Sequence, residues 1–176
     1  LVLGCDFLRR HHAVIDCANR RLYLRREAMG SEPLSELAAA LRGRGFVALD
    51  LKQHDPLALT CAAKLNGRDM ELLVDTGAMW SCLDTETART LELRVEPSAN
   101  QISGAAATGK RGFGVTRVER FEIGGWERAD VNLAVLALAD WGLGPSGQLL
   151  NSVGGILGGD QLLANAAVID CGQLKL

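Results

Sequence analysis

Two stretches of this chain, 154 residues apart, spell the same structural unit. Leu3-Gly4-Cys5-Asp6-Phe7-Leu8 aligns with Leu157-Gly158-Gly159-Asp160-Gln161-Leu162, and Ala13-Val14-Ile15-Asp16-Cys17 aligns with Ala167-Val168-Ile169-Asp170-Cys171, one offset serving both blocks. Each copy reads as an apolar-Gly turn, a short helix, and a strand that turns into a second strand. The hairpin continues to Arg21-Leu22-Tyr23-Leu24 after the first copy and to Leu174-Lys175-Leu176 after the second. Residues 1–27 therefore read as the tail end of one lobe and residues 57–176 as a complete second lobe. Residues 28–56 form a helical connector and a strand between them.

In the connector, Ser31 can cap a helix with Pro33 in its first turn. Leu34, Leu37, Ala38 and Leu41 fall at i, i+3, i+4 and i+7, and Gly43 and Gly45 stop the run. This predicts a helix within 28–45, then a strand over 46–51. The second lobe reads mostly as strands. Segments 57–65 and 70–74 flank Asn66-Gly67-Arg68-Asp69, where Asn-Gly signals a hairpin turn. A short helix over 85–91 follows, capped by Asp84. Further strands are expected at 100–103, 114–123 and 126–138, with Gly124-Gly125 turning between the last two. Only 5% of residues are aromatic and 20 are glycine, which suits a small, tightly turned, mainly β barrel with one or two short helices.

The chain has 176 residues, 48% of them hydrophobic, and a formal charge of −2 from 19 basic and 21 acidic side chains. That is one compact soluble domain with an appendage, and nothing in the charge supports nucleic-acid or membrane-surface binding. Arg9, Arg10, Arg20, Arg21, Arg25 and Arg26 crowd the N-terminal unit beside His11 and His12, and read as a solvated hairpin rather than a polyanion site. Five cysteines are an odd count without a Cys-x-x-Cys pair, so neither a disulfide framework nor a zinc site is indicated and no metal is expected. They read as small apolar packing residues. No apolar run reaches the ~18 residues of a membrane-spanning helix. Val2-Leu3-Gly4-Cys5 has the outline of a lipoprotein cleavage box without a basic and apolar leader before it, and the repeat accounts for it better. The first residue is not Met, so a targeting segment can lie outside these residues and the compartment stays open.

The string Leu72-Leu73-Val74-Asp75-Thr76-Gly77-Ala78 carries the chemistry. It sets one carboxylate at the end of a buried strand, where Thr76 can hydrogen-bond across a tight turn and Gly77 admits another backbone. A second string, Ile156-Leu157-Gly158, ends 83 residues after Asp75 and leads into a helical stretch. In this order the two strings resemble the retropepsin-like aspartic proteases, the family of the retroviral proteases and their bacterial relatives. The resemblance covers roughly 57–176, with 1–27 matching the end of another such unit. It implies a closed acid-protease barrel in which the Asp-Thr-Gly loop sits against the hydrophobic-hydrophobic-Gly strand.

By that resemblance Asp75 takes the catalytic aspartate's place. Thr76 takes the place of the threonine that interlocks across a two-fold axis, and Gly77 and Ala78 form the cleft floor. Ser81 closes the loop, and Ile156, Leu157 and Gly158 support it. Met79 and Trp80 stand where retroviral members carry acidic residues, and Gly159 where they carry arginine, so the ion pair bracing the cleft base is lost at both ends. Packing by Trp80 is the expected substitute. The family's β-hairpin flap maps onto 102–110, where Ser103, Gly104, Ala105 and Ala106 are expected to cover substrate with little packing and glycine hinges.

One competing pattern exists. Gly142-Leu143-Gly144-Pro145-Ser146-Gly147 satisfies the G-x-G-x-x-G string of dinucleotide sites, with Asp160 near the offset of a ribose-binding acid. No long amphipathic helix follows, Pro145 interrupts the turn, and strands do not alternate with helices. A surface loop over 140–155 is the better account.

The resemblance implies an aspartic endopeptidase without cofactor, acting on peptide or protein substrates through water activated by two aspartates. No second Asp-Thr-Gly occurs in the chain. Asp6, Asp160, Asp16 and Asp170 belong to the repeat and are not partners for Asp75. The second aspartate must come from a homodimer or from an upstream lobe of the same precursor. The alternative is a catalytically silent retropepsin-like module for dimerisation or peptide binding.

Overall fold

Asn66 and Gly67 adopt φ of +49° and +79°, the left-handed pair of a type I′ turn, and Leu65 faces Arg68 directly across it. Gly124 and Gly125 repeat the device at +55° and +88° between Ile123 and Trp126. These turns seed the two hairpins on which the lobe is built. A computed structural model describes residues 3–25, 35–54, 58–103, 110–141, 143 and 153–176.

The first repeat folds as α1 (Cys5–Arg10), β1 (Val14–Asp16) and β2 (Arg21–Tyr23). Helix α2 (Ser35–Arg42) follows, then β3 (Leu51–His54), β4 (Ala58–Leu65), β5 (Arg68–Val74), β6 (Cys82–Asp84) and α3 (Thr85–Thr90). Next come β7 (Val95–Ile102), β8 (Arg111–Ile123), β9 (Trp126–Leu136) and a 3₁₀ turn at Leu138–Trp141. The second repeat supplies α4 (Gly159–Ala164) and β11 (Val168–Asp170), entered from β10 (Val153–Leu157).

The large sheet runs β3-β4-β5-β10-β6-β9-β8-β7. Pairing of Lys64 with Glu122 and Leu65 with Phe121 joins β4 to β8 and closes the strands between them into a barrel. Strand β10 is wedged parallel to β5 and antiparallel to β6. Its glycines make the wedge possible, since a Cβ on Gly155 would lie 2.3 Å from the Cys82 carbonyl oxygen. Inside, Leu65, Leu72, Leu83, Val118, Phe121 and Leu157 form one buried cluster that also takes in Ala13 and Cys17 from the first repeat. The N-terminal unit thus shares the lobe's core, and β1 pairs with β11 in a separate three-stranded sheet.

Several boundaries differ from the sequence reading. The strand expected over 46–51 is displaced to Leu51–His54, because pairing with β4 recruits Lys52, Gln53 and His54 despite their polarity. Leu49 instead pairs with Leu176 through backbone hydrogen bonds, and Leu51 N–H also donates to the Leu174 carbonyl. The loop expected over 140–155 overlaps β10, which begins at Val153. Strand β9 stops at Leu136, where Asp84 accepts the Leu138 N–H at 2.9 Å and turns the chain. Strand β7 starts at Val95, earlier than expected. Ser31 and Pro33, the flap residues 104–109, and the glycines of the G-x-G-x-x-G string lie outside the described residues.

On β5, Glu71 accepts from Thr60 Oγ1 and lies 2.8 Å from His54 Nε2. Burial alone would raise its carboxyl, but the hydrogen bonds from Thr60 and His54 and the charges of His54 and Lys52 outweigh burial and hold it below the ordinary value of 4.5. A carboxyl depressed in the folded state stabilises the fold at pH above its unfolded value, and that contribution drains away as pH falls through the folded value. Glu71→Gln will therefore lower the melting temperature near pH 7 and flatten its decline below pH ~4.5. Thermal denaturation at both pH values reads the difference.

Candidate active site

Strand β5 ends at Val74, opposite Leu157 of β10, and the Asp75 N–H donates to the Leu157 carbonyl at 3.1 Å. The chain then turns back on itself. Gly77 N–H donates to Asp75 Oδ1 at 2.8 Å, and Ala78 N–H to the Asp75 carbonyl at 3.3 Å. One carboxylate oxygen is thereby oriented by backbone alone, a local closure that small residues after an aspartate favour. Asp75 is half-buried, while Thr76 and Gly77 are exposed at the tip.

The loop is strapped to the second repeat. Gly159 N–H donates to the Ala78 carbonyl at 2.7 Å and Asp160 N–H to the Met79 carbonyl at 3.1 Å. Ser81 Oγ accepts from Gly158 N–H at 2.9 Å and donates to Asp160 Oδ1 at 2.6 Å. The Ser81 N–H donates to the same oxygen at 2.7 Å. Gly158 has no room for a side chain, since a Cβ would sit 2.7 Å from the Trp80 carbonyl group. The expected supports Ser81, Ile156, Leu157 and Gly158 thus converge on the loop carrying Asp75, Thr76, Gly77 and Ala78. Asp160 does so as well, and sequence reasoning missed it. Its signal was present, because the aspartate recurs at the same place in both repeats.

The sequence reading expects Trp80 to brace this loop by packing. Trp80 is 45% exposed and Met79 73% exposed, and Trp80 lies tilted against Phe113 of β8 with ring centroids 5.8 Å apart. The loop is held to α4 by the Asp160–Ser81 hydrogen bonds, a carboxylate closing on hydroxyl and amide. Trp80 and Phe113 form an apolar surface beside the loop. Ser103 is exposed beyond the end of β7, and Gly104, Ala105 and Ala106 fall outside the described residues.

Residues 61–160 match the family model described as Aspartyl protease, more than half of the chain. The chain belongs to the aspartyl protease family. A comparison with curated proteins gave no match. Among solved structures, this aspartyl protease is similar to the EIAV protease complexed with the inhibitor HBY-793, at 21% identity and a TM-score of 0.49, over 66% of this chain and 95% of that one. It is also similar to a retropepsin-like aspartic protease from Rickettsia conorii, at 18% identity and a TM-score of 0.45, over 67% of this chain and 77% of that one.

Other chemistries have less to work with. All five cysteines are free. Burial pushes Cys61 up to about 12, and Cys82, nearest the loop, also to about 12 with Asp160, Asp75 and Asp84 adding to the effect. Burial likewise raises Cys171 to about 11 and Cys5 and Cys17 above the ordinary value. A thiol in that range is almost wholly protonated at neutral pH and a poor nucleophile. Cys61 and Cys82 will therefore alkylate with iodoacetamide far faster in urea than in the native protein, as read by mass spectrometry. Among the described residues no three of His, Cys, Asp and Glu group as metal ligands, and no helix is long and apolar enough to cross a membrane.

Proposed function

We propose that this aspartyl protease hydrolyses peptide bonds as one half of an aspartic endopeptidase, with Asp75 supplying one carboxylate and a second lobe or subunit the other. The observation that carries the reading is the loop itself: Asp75 stands at the tip of a turn whose backbone is fastened to β10 and α4 and whose Gly77 amide orients Asp75 Oδ1. That is the pre-organisation a general base requires.

Two carboxylates within ~3 Å cannot both ionise, so a pair shares one proton. The ionised member takes a proton from a water held between them as its oxygen attacks the scissile carbonyl. The protonated member donates to the developing oxyanion, and a proton passes on to the leaving nitrogen. Thr76 stabilises the pair by meeting its counterpart across the axis, and Gly77 and Ala78 floor the cleft. Met79 and Trp80 line one wall, favouring apolar side chains, and Ser103, Gly104, Ala105 and Ala106 belong to the covering flap. No metal or organic cofactor enters the reaction.

The runner-up is a silent module for dimerisation or peptide binding, favoured by the absence of any carboxylate hydrogen-bonded to Asp75 among the described residues. A digest of an unfolded protein substrate, read by mass spectrometry for new termini, separates the two. New termini that vanish with Asp75→Asn support the endopeptidase. Peptide binding without new termini from a verified two-lobe assembly overturns it.

A further inference from the structure

The two repeats are related by a local two-fold axis. Strands β1 and β11 run antiparallel with Ile15 opposite Ile169, while Val14 faces Asp170 and Asp16 faces Val168. Positions at the shared offset of 154 therefore meet at the centre and exchange on either side. Backbone hydrogen bonds obey the same operation. Cys17 N–H donates to the Ala167 carbonyl at 3.0 Å, and Cys171 N–H to the Ala13 carbonyl at 2.9 Å.

The correspondence extends through both units. Helices α1 and α4 have the same length and begin after Gly4 and Gly158. His12 and Ala166 share a left-handed backbone, as do Arg20 and Leu174. Asp16 accepts from the Asn19 N–H just as Asp170 accepts from the Gln173 N–H. Strand pairing of Asp16 with Arg21 matches the bridge of Asp170 to Lys175.

The surroundings break the symmetry. Leu157 is 3% exposed inside the barrel, whereas its mate Leu3 is 41% exposed. Gly158 is buried against the Trp80 carbonyl and Asp160 grips Ser81, whereas Gly4 and Asp6 are exposed. Leu176 packs on the core and pairs with Leu49, whereas its mate Leu22 is 42% exposed on a strand with no outer partner among the described residues. Tyr23 and Leu24 beside it are exposed as well. Meanwhile Thr76 looks across a cavity of about 270 Å³ at Ile15, Cys17 and Leu22, so the Asp75 loop stands against the same axis.

We propose that residues 3–25 are the closing helix and hairpin of a second Asp-Thr-Gly lobe that lies N-terminal to Leu3 in the same polypeptide and faces the Asp75 loop across this axis. The proposal rests on the aspartic-protease reading and names the source of the second carboxylate. Two arguments select this occupant. A second copy of the chain cannot use the axis, because β1 already fills the edge of β11 that a symmetric dimer requires. A second copy's own Asp75 loop is also already fastened to its own α4. In the complete copy, moreover, β10 runs into α4 with Gly158 alone between them, so the strand that fills the matching seat must continue covalently into Leu3-Gly4.

The test is a fusion that places residues 46–157 directly before Gly4 of the full chain, joining Leu157 to Gly4 in the natural register. In the 176-residue chain the amides of Gly4, Cys5 and Asp6 will exchange with solvent quickly while those of Gly158, Gly159 and Asp160 are protected. In the fusion, both sets will be protected, slowing the first by on the order of 10²-fold. A monodisperse, folded fusion whose Gly4–Asp6 amides still exchange quickly overturns the proposal. Protection without peptide cleavage leaves the two-lobe assembly standing and removes the peptidase reading instead. Sedimentation of the unfused chain provides a check independent of the fusion's folding. A monomer without turnover is the expected result, and a self-associated dimer whose activity rises with the square of concentration overturns the assignment.

Discussion

Asp75→Asn in the paired enzyme will lower kcat by about 10²–10⁴-fold, the usual worth of one positioned acid–base group, with KM and melting temperature nearly unchanged. The amide is isosteric with the carboxylate, and its Oδ1 can still accept the Gly77 N–H that Asp75 Oδ1 accepts at 2.8 Å. The loop's remaining fastenings run through main-chain atoms and through Ser81 and Asp160, none of which the substitution touches. What disappears is the capacity to share a proton with the opposing carboxylate and to take one from water. Single-turnover cleavage of a fluorogenic peptide, with circular dichroism on the same samples, separates this from unfolding. Turnover within twofold of wild type would move water activation to another residue and end the proposal for Asp75. In the two-lobe fusion the same substitution in either copy should be equally damaging, because a shared proton belongs to the pair.

Much of this site was legible because its determinants are local. The small-residue turn after Asp75, the Asn66-Gly67 and Gly124-Gly125 turns and the Asp84 cap each depend on residues within a few positions. The repeat was legible for the opposite reason: two distant segments carry one pattern, and comparison needs no geometry. Strand β10 was obscured because Val153-Gly154-Gly155-Ile156-Leu157 contains two glycines, poor strand formers in isolation. They are required only because β5 and β6 close in on either side. The strand displaced to Leu51–His54 shows tertiary pairing overriding the apolar run at 46–49. Asp160 escaped for a third reason. As a member of the repeat it looked like part of a helix start, and its acceptor role exists only once α4 is folded against a loop 79 positions away.

That role predicts the second large effect. Asp160→Ala will remove the acceptor for both the Ser81 N–H and the Ser81 hydroxyl, at 2.7 and 2.6 Å. Ser81 is 2% exposed, so water cannot replace the lost partner at its amide. A buried donor left unmatched costs about 1–3 kcal/mol, and with the hydroxyl's loss the total is about 2–4 kcal/mol. For a chain of this size that lowers the melting temperature by roughly 5–15 °C. The hydroxyl can still accept from Gly158 N–H, so the lobe should fold, with its loop held less firmly above α4. Peptide turnover will fall more than substrate affinity, because Asp75 loses orientation while the apolar surface at Trp80 and Phe113 remains. Asp160→Asn keeps an acceptor oxygen in place and should recover stability to within about 1 kcal/mol, together with most of kcat. Ser81→Ala combined with Asp160→Ala should cost less than the two effects added, since both remove one shared interaction. Additive losses, or an Asp160→Asn variant as impaired as Asp160→Ala, would mean that the carboxylate's charge rather than its hydrogen bonding holds the loop.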